Sequence, residues 1–137
     1  MSTARRDVVA VRGIRARGFH GVLPEERRDG QDFVVDVAMT IDTRPAAASD
    51  DLALTVDYSA VAAAVVVVVT GESVDLVETL AARIADAVLA EPLVEQVEIV
   101  VHKPEAPVGV PFGDVCVTIV RSRDDRRDTI RDEESAQ

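Results

Sequence analysis

Apolar residues recur along the chain with two different periods. From Phe33 to Asp42 they alternate. Phe33, Val35, Val37, Met39 and Ile41 fall on one side, and Asp36, Thr40 and Asp42 on the other. Period two marks a strand with one buried face and one wet face. Val8 to Arg17 reads as an earlier strand, apolar-rich with Arg12, Arg15 and Arg17 interleaved, and Gly13 inside it signals a bulge. These two strands would pair antiparallel through the connection 18–31. That connection holds Gly18-Phe19-His20-Gly21, whose glycines suit positive φ, then a polar stretch from Leu23 to Arg28 and the turn signal Asp29-Gly30.

After a loop over Arg44 to Asp51 the period changes. Val77, Leu80, Ala81, Ile84, Ala85 and Val88 recur at three- and four-residue steps, an amphipathic helical stripe that Glu91-Pro92 ends. Asp75-Leu76-Val77-Glu78 has the spacing of a capping box at its start. Ala60 to Thr70 sends mixed signals. The five valines from Val65 to Val69 suit a strand, while the alanines before them, an Asp57 N-cap and Gly71 behind suit a helix; we read helix. Val97 to Val101 and Asp114 to Arg121 read as two further strands, the last with Val115, Val117 and Ile119 on one face. The order strand-strand-helix-helix-strand-strand predicts an α+β domain, a four-stranded antiparallel sheet with two helices on one face. Its edge strands would be unpaired, a liability that oligomerisation removes.

Composition narrows the function classes. The 137 residues suit one domain over 8–121, with a flexible N-terminus at 1–7 and a disordered charged tail at 122–137 that is too polar to offset its ordering entropy. A net charge of -10 argues against nucleic-acid or anionic-membrane partners, which need a positive field. No apolar run approaches the roughly 18 residues of a membrane span. Cys116 is the single cysteine; it cannot form an internal disulfide, and its apolar surroundings suggest a core side chain in a cytoplasmic protein. His20 and His102 are the only histidines, a poor set for zinc, so no metal and no cofactor are expected. Neither a P-loop nor a G-x-G-x-x-G or G-x-S-x-G motif is present.

Lys103 is the most suggestive candidate. It is the sole lysine beside fourteen arginines, and it sits where a strand meets Pro104. Lysine can cycle a proton and arginine cannot, so Lys103 is either a proton-transfer group or an ordinary surface lysine. Glu26 is either a carboxylate that orients a polar substrate or a solvated loop acid. Tyr58, the sole tyrosine, could meet a ring or pack at an interface. Glu78 has two candidate jobs: closing the capping box, or accepting two N–H donors from a guanidine-like edge.

Four short motifs stand in order: Gly18-Phe19-His20-Gly21 with Glu26 and Gly30-Gln31; Thr55-Val56-Asp57-Tyr58; Leu76-Val77-Glu78-Thr79-Leu80-Ala81; and His102-Lys103-Pro104 with Ala106-Pro107. Together, over residues 8–121, they resemble the dihydroneopterin aldolase family of folate biosynthesis. The resemblance implies a tunnelling fold, assembled as homo-tetrameric rings that stack as octamers, with sites between subunits. It implies retro-aldol cleavage of a pterin side chain with no metal or cofactor, and an accompanying 2′-epimerase activity. Lys103 matches the general acid/base, Glu78 the carboxylate that binds the amino-pyrimidine edge, and Val77 a backbone contact to the ring. Glu26 and Tyr58 match residues near the reacting side chain, Tyr58 reaching from a neighbouring subunit, and Val56 lies in a matching substrate-binding motif. Two rivals share the reading: a dihydroneopterin triphosphate epimerase, and a non-catalytic pterin-binding ring protein.

Overall fold

The computed structural model describes residues 7–125. Four strands form one sheet in the order β1-β2-β3-β4, every neighbouring pair antiparallel: β1 (Asp7–Gly18), β2 (Gln31–Ile41), β3 (Gln96–His102) and β4 (Cys116–Ser122). Helix α1 (Pro24–Asp29) joins β1 to β2. Helices α2 (Arg44–Ser49), α3 (Tyr58–Val69) and α4 (Val77–Leu89) lie between β2 and β3. The predicted strand and helix order is present, and so is the bulge. The β1–β2 register slips between Val11 and Ile14, and the N–H of Gly13 donates to Asp36 Oδ1 at 2.8 Å.

The core lies between the sheet and the two long helices. β2 buries every second residue, as its alternation requires. Phe33, Val35 and Met39 of β2, with Ile99 of β3, pack against Leu80, Ile84 and Val88 of α4 and Val61, Val65 and Val69 of α3. The four-residue spacing of the buried valines settles the ambiguous segment. A strand would bury Val65, Val67 and Val69 together, yet Val67 is 68% exposed. Asp57 caps α3, accepting from the N–H groups of Ser59 and Ala60 at 3.0 and 3.3 Å. Burial at helical spacing plus the cap outweighs the strand preference of valine.

Several expectations need correction. Arg44 to Asp51 is not all loop: Pro45 sits in the first turn of α2, Ser49 Oγ donates to the Pro45 carbonyl at 2.9 Å, and Asp50 ends the helix in the left-handed region. Cys116 is exposed rather than a core side chain. Val115, Val117 and Ile119 take the inward positions, so alternation turns Cys116 outward. At the N-terminus Asp7 already opens β1, and its carboxylate accepts from the Thr43 N–H at 3.1 Å. At the other end Ser122 still belongs to β4, and the Arg123 guanidinium donates to the carbonyls of Glu91 at 2.9 Å and Val94 at 2.5 Å. The rest of both expected terminal segments, 1–6 and 126–137, lies outside the described residues. Among the described residues no helix is long and apolar enough to cross a membrane.

These burial differences predict how α3 responds to truncation. Val65→Ala should cost about 2–3 kcal/mol by leaving a cavity under the sheet. Val67→Ala should stay within about 0.5 kcal/mol of the parent. Urea unfolding of both variants checks this; equal losses would contradict the helical phase.

Candidate active site

Lys103 follows the last residue of β3, and its backbone is still held by the sheet edge. Its N–H donates to the Val115 carbonyl at 2.8 Å, and its carbonyl accepts from the Ala106 N–H at 3.1 Å as the chain turns through Pro104. The side chain is only 13% exposed, and its Nζ lies 2.7 Å from Glu26 Oε2. Glu26 was expected in a polar loop. It stands instead in the first turn of α1, behind Pro24, where Oε1 accepts the Leu23 N–H at 3.2 Å. The signal was in the sequence: proline at the first helical position with glutamate two residues on.

Two further features shape this pair. Gly21 has φ +148°, and a Cβ on it would fall 2.3 Å from Glu26 Oε1, so only glycine admits the carboxylate. Gln31 donates through Nε2 to Glu26 Oε2 at 3.0 Å, while its own Oε1 is buried with no hydrogen-bond partner among the described residues. Burial pushes the Glu26 carboxyl up, but hydrogen bonds from Lys103, Gln31 and the Leu23 N–H outweigh it and hold the group below its ordinary value. An open cleft of about 260 Å³ runs past Glu26, lined also by Leu23, Gln31, Glu105 and Pro107 among others.

His20 fastens this corner to the end of α3 and to the lead-in of α4. Its Nδ1 accepts the Val74 N–H at 3.1 Å, which leaves Nε2 to carry the proton and donate to the Val69 carbonyl at 2.7 Å. Burial depresses its basicity and keeps it neutral. Gly18 is needed here for close approach, not for positive φ as expected: a Cβ would lie 2.8 Å from the Val69 carbonyl oxygen. The Gly21 N–H donates to the Val74 carbonyl at 2.9 Å, and Arg27 pairs with Asp75. The segment carrying Glu26 is thereby locked to the lead-in of α4.

That lead-in departs from the expected capping box. The N-cap is Leu76, one residue later than Asp75, and no side chain caps the helix. Asp75 is engaged by Arg27 instead. Glu78, in the first turn, is exposed, and no hydrogen bond or ion pair holds its carboxylate among the described residues. Of its two candidate jobs, capping is ruled out. Val77 is half-buried against the core. An open cleft of about 490 Å³ borders this helix start, lined by Val22, Arg27, Leu76, Thr79 and Arg83 among others.

Tyr58 does not join the others within one chain. It begins α3 and is 62% exposed, whereas Val69, at the far end of that helix, is what meets His20 and Gly18. The helix separates the two by roughly 17 Å. Val56 is 2% exposed in the core, so any ligand contact falls to its backbone.

One cluster was missed from sequence. His102 places Nε2 2.8 Å from Asp36 Oδ2 and Nδ1 2.6 Å from Asp114 Oδ2. Bonds to Asp114 and Asp36 outweigh burial and raise the basicity of the imidazole. With Cys116 turned outward, donor atoms of His102, Asp114 and Cys116 lie within 4.8 Å of one another. Carboxylates already occupy both ring nitrogens.

A four-stranded antiparallel sheet whose two long helices, here α3 and α4, come between its second and third strands is the tunnelling fold. The dihydroneopterin aldolase (FolB) family model matches residues 9–120. Dihydroneopterin aldolase of Streptomyces coelicolor is 63% identical over 117 residues, 85% of this chain and 98% of that protein. The Bacillus subtilis enzyme of the same name is 39% identical over 118 residues, 85% of this chain and 98% of its own. The crystal structure of Escherichia coli dihydroneopterin aldolase in complex with neopterin superposes with a TM-score of 0.78 at 34% identity, covering 85% of this chain and 99% of that one. The chain belongs to the dihydroneopterin aldolase family.

The depressed Glu26 carboxyl gives a signed stability prediction. A group of this kind contributes stability above its unfolded value, and that contribution is lost as pH falls through the folded value. Glu26→Gln should therefore lower stability by roughly 1–3 kcal/mol at pH 7. The gap to the parent should close in acid, below about pH 4. Denaturant unfolding across pH checks this; a gap that persists in acid would contradict it.

Proposed function

We propose that this chain cleaves the C1′–C2′ bond of 7,8-dihydroneopterin, releasing glycolaldehyde and 6-hydroxymethyl-7,8-dihydropterin, as a step of folate biosynthesis. One observation carries the reading: the sole lysine, mostly buried at a strand end, paired at 2.7 Å with the carboxylate of Glu26. Family membership over residues 9–120 supports it, and that span agrees with a catalytic domain over 8–121.

The chemistry asks little more than proton transfer. When the 2′-hydroxyl loses its proton, C2′ becomes the carbonyl of glycolaldehyde and the C1′–C2′ pair moves into a C1′=C6 double bond. The ring's C6=N5 imine receives the displaced electrons, and N5 gains a proton. Protonation of C1′ and loss of the N5 proton then restore the imine. Lys103 is the group that moves these protons, because an amine can give and take one where a guanidinium cannot. Glu26 holds the amine, and Gln31 in turn holds Glu26 by donating to the same carboxylate oxygen. The unpaired Glu78 carboxylate accepts two N–H groups from the amino-pyrimidine edge, with Val77 offering its backbone. No step calls for a metal or a lysine Schiff base.

The site is complete only with a second copy. Tyr58 lies at the opposite end of α3 from the His20 corner, so in this reading a neighbouring subunit supplies it, together with the Val56 backbone. β1 and β4 end the sheet with free edges among the described residues, suited to edge-to-edge pairing into a tetrameric ring or a stacked octamer. A cytoplasmic location accords with this role. A triphosphate substrate is less well served. The arginines of the larger cleft, Arg27 and Arg83, are already paired with Asp75 and Glu72.

Lys103→Arg should lose most turnover, on the order of 100-fold or more, while still binding product. Glu78→Ala should weaken pterin binding by roughly 100-fold. Lys103→Ala and Tyr58→Ala should each be inactive alone and regain activity when dissociated and reassembled together, since some sites then hold both residues. Glycolaldehyde release is the assay. A fully active Lys103→Arg, or mixed assemblies that stay inactive, would defeat the reading.

A further inference from the structure

Lys103 is placed by its sheet edge, and a second set of bonds converges on that edge from the face opposite the core. The β1 bulge turns the Gly13 N–H onto Asp36 Oδ1 at 2.8 Å. The other oxygen of Asp36 is 2.8 Å from His102 Nε2. The opposite nitrogen of the same ring is 2.6 Å from Asp114 Oδ2, in the segment that returns from Lys103 to β4. Asp114 precedes Val115, whose carbonyl accepts the Lys103 N–H at 2.8 Å. Three strands and the loop are thus tied through one imidazole, next in sequence to the lysine. None of these side chains lies in the catalytic pair or the ring-binding set.

We propose that Asp36, His102 and Asp114 form a positioning network that fixes the Lys103 loop, and that the network holds only while His102 carries both ring protons. This rests on the function proposed above for its kinetic consequence, though not for its structural one. A ring with both N–H groups donates to both carboxylates. A neutral ring has one donor, so one carboxylate is left facing a lone pair. The groups around the ring are Asp36 on β2, Asp114 in the segment before β4, Cys116 at the start of β4, and Arg12 of β1, whose charge acts on Asp36. Two carboxylates outnumber the one more distant guanidinium, so the surroundings favour the imidazolium. A cation stabilised by folding contributes fully below the ordinary histidine range, and its contribution is lost as pH rises through the folded value. The clamp therefore opens on the alkaline side. A loosened loop misplaces the amine, which is costly because proton transfer needs hydrogen-bond distance.

The test uses the full-length protein with His102→Gln and Asp114→Asn. The His102 ring is titrated by NMR, hydrogen exchange is followed at the Lys103 amide, and kcat and KM are measured against pH. In the parent, Lys103 exchange should quicken and kcat should fall along one alkaline limb at the ring's own midpoint. Asp114→Asn should move ring midpoint and limb down together. His102→Gln should abolish the limb and lower kcat roughly 10- to 100-fold with KM little changed. A limb that stays in place while the ring midpoint moves would overturn the network, as would kcat and Lys103 exchange equal to the parent in both variants. A parent that shows the exchange behaviour but releases no glycolaldehyde would establish the clamp and defeat the proposed reaction instead.

Discussion

An amine with nowhere else to go is the constraint on which this molecule turns. Lys103 is mostly withdrawn from water, so its charge must be answered close by, and Glu26 answers it at 2.7 Å. Glu26 in turn is fixed from three directions: the Leu23 N–H, the Gln31 amide and the space left by the missing side chain at Gly21. Those contacts come from the residue that caps the start of α1, the first residue of β2 and the glycine before the helix. None of them belongs to the strand that carries the lysine. The pair forms only when the β1–β2 connection has folded against the end of β3, so the site reports on the completed sheet.

Much of the fold was legible because the sheet and α4 obey their periods. β2 buries alternate residues without exception, and α4 buries Leu80, Ala81, Ile84, Ala85 and Val88 as its stripe requires. The valine run was ambiguous because local preference and tertiary burial pull in opposite directions, and only packing shows which prevails. Errors gathered where short segments borrow their structure from distant partners. α1 has six residues, too few for a periodic signal, and its start depends on Pro24 and Glu26. The capping box failed because Arg27, forty-eight residues from Asp75, draws that carboxylate away.

The site residues were legible in kind more than in arrangement. Lys103 and Glu26 were each weak candidates alone, and no spacing in the chain says that they meet. Glu78 holds no partner among the described residues where a local rule assigned it a cap. The Asp36–His102–Asp114 bonds span sixty-six and twelve residues and follow no motif. They depend on β2 and β3 being neighbours, and on alternation turning His102 and Asp36 to the same face. Tyr58 and Glu78 remain exposed, and among the described residues no hydrogen bond or ion pair holds the Glu78 carboxylate.

The most direct test is to turn over 7,8-dihydroneopterin in deuterium oxide with the purified protein and no added metal, and to read both products by NMR. Retro-aldol chemistry through an enol requires glycolaldehyde in equal amount, and one solvent-derived deuterium on the hydroxymethyl carbon of the pterin. A product without deuterium there, or no glycolaldehyde at all, would contradict proton transfer as the work of this site.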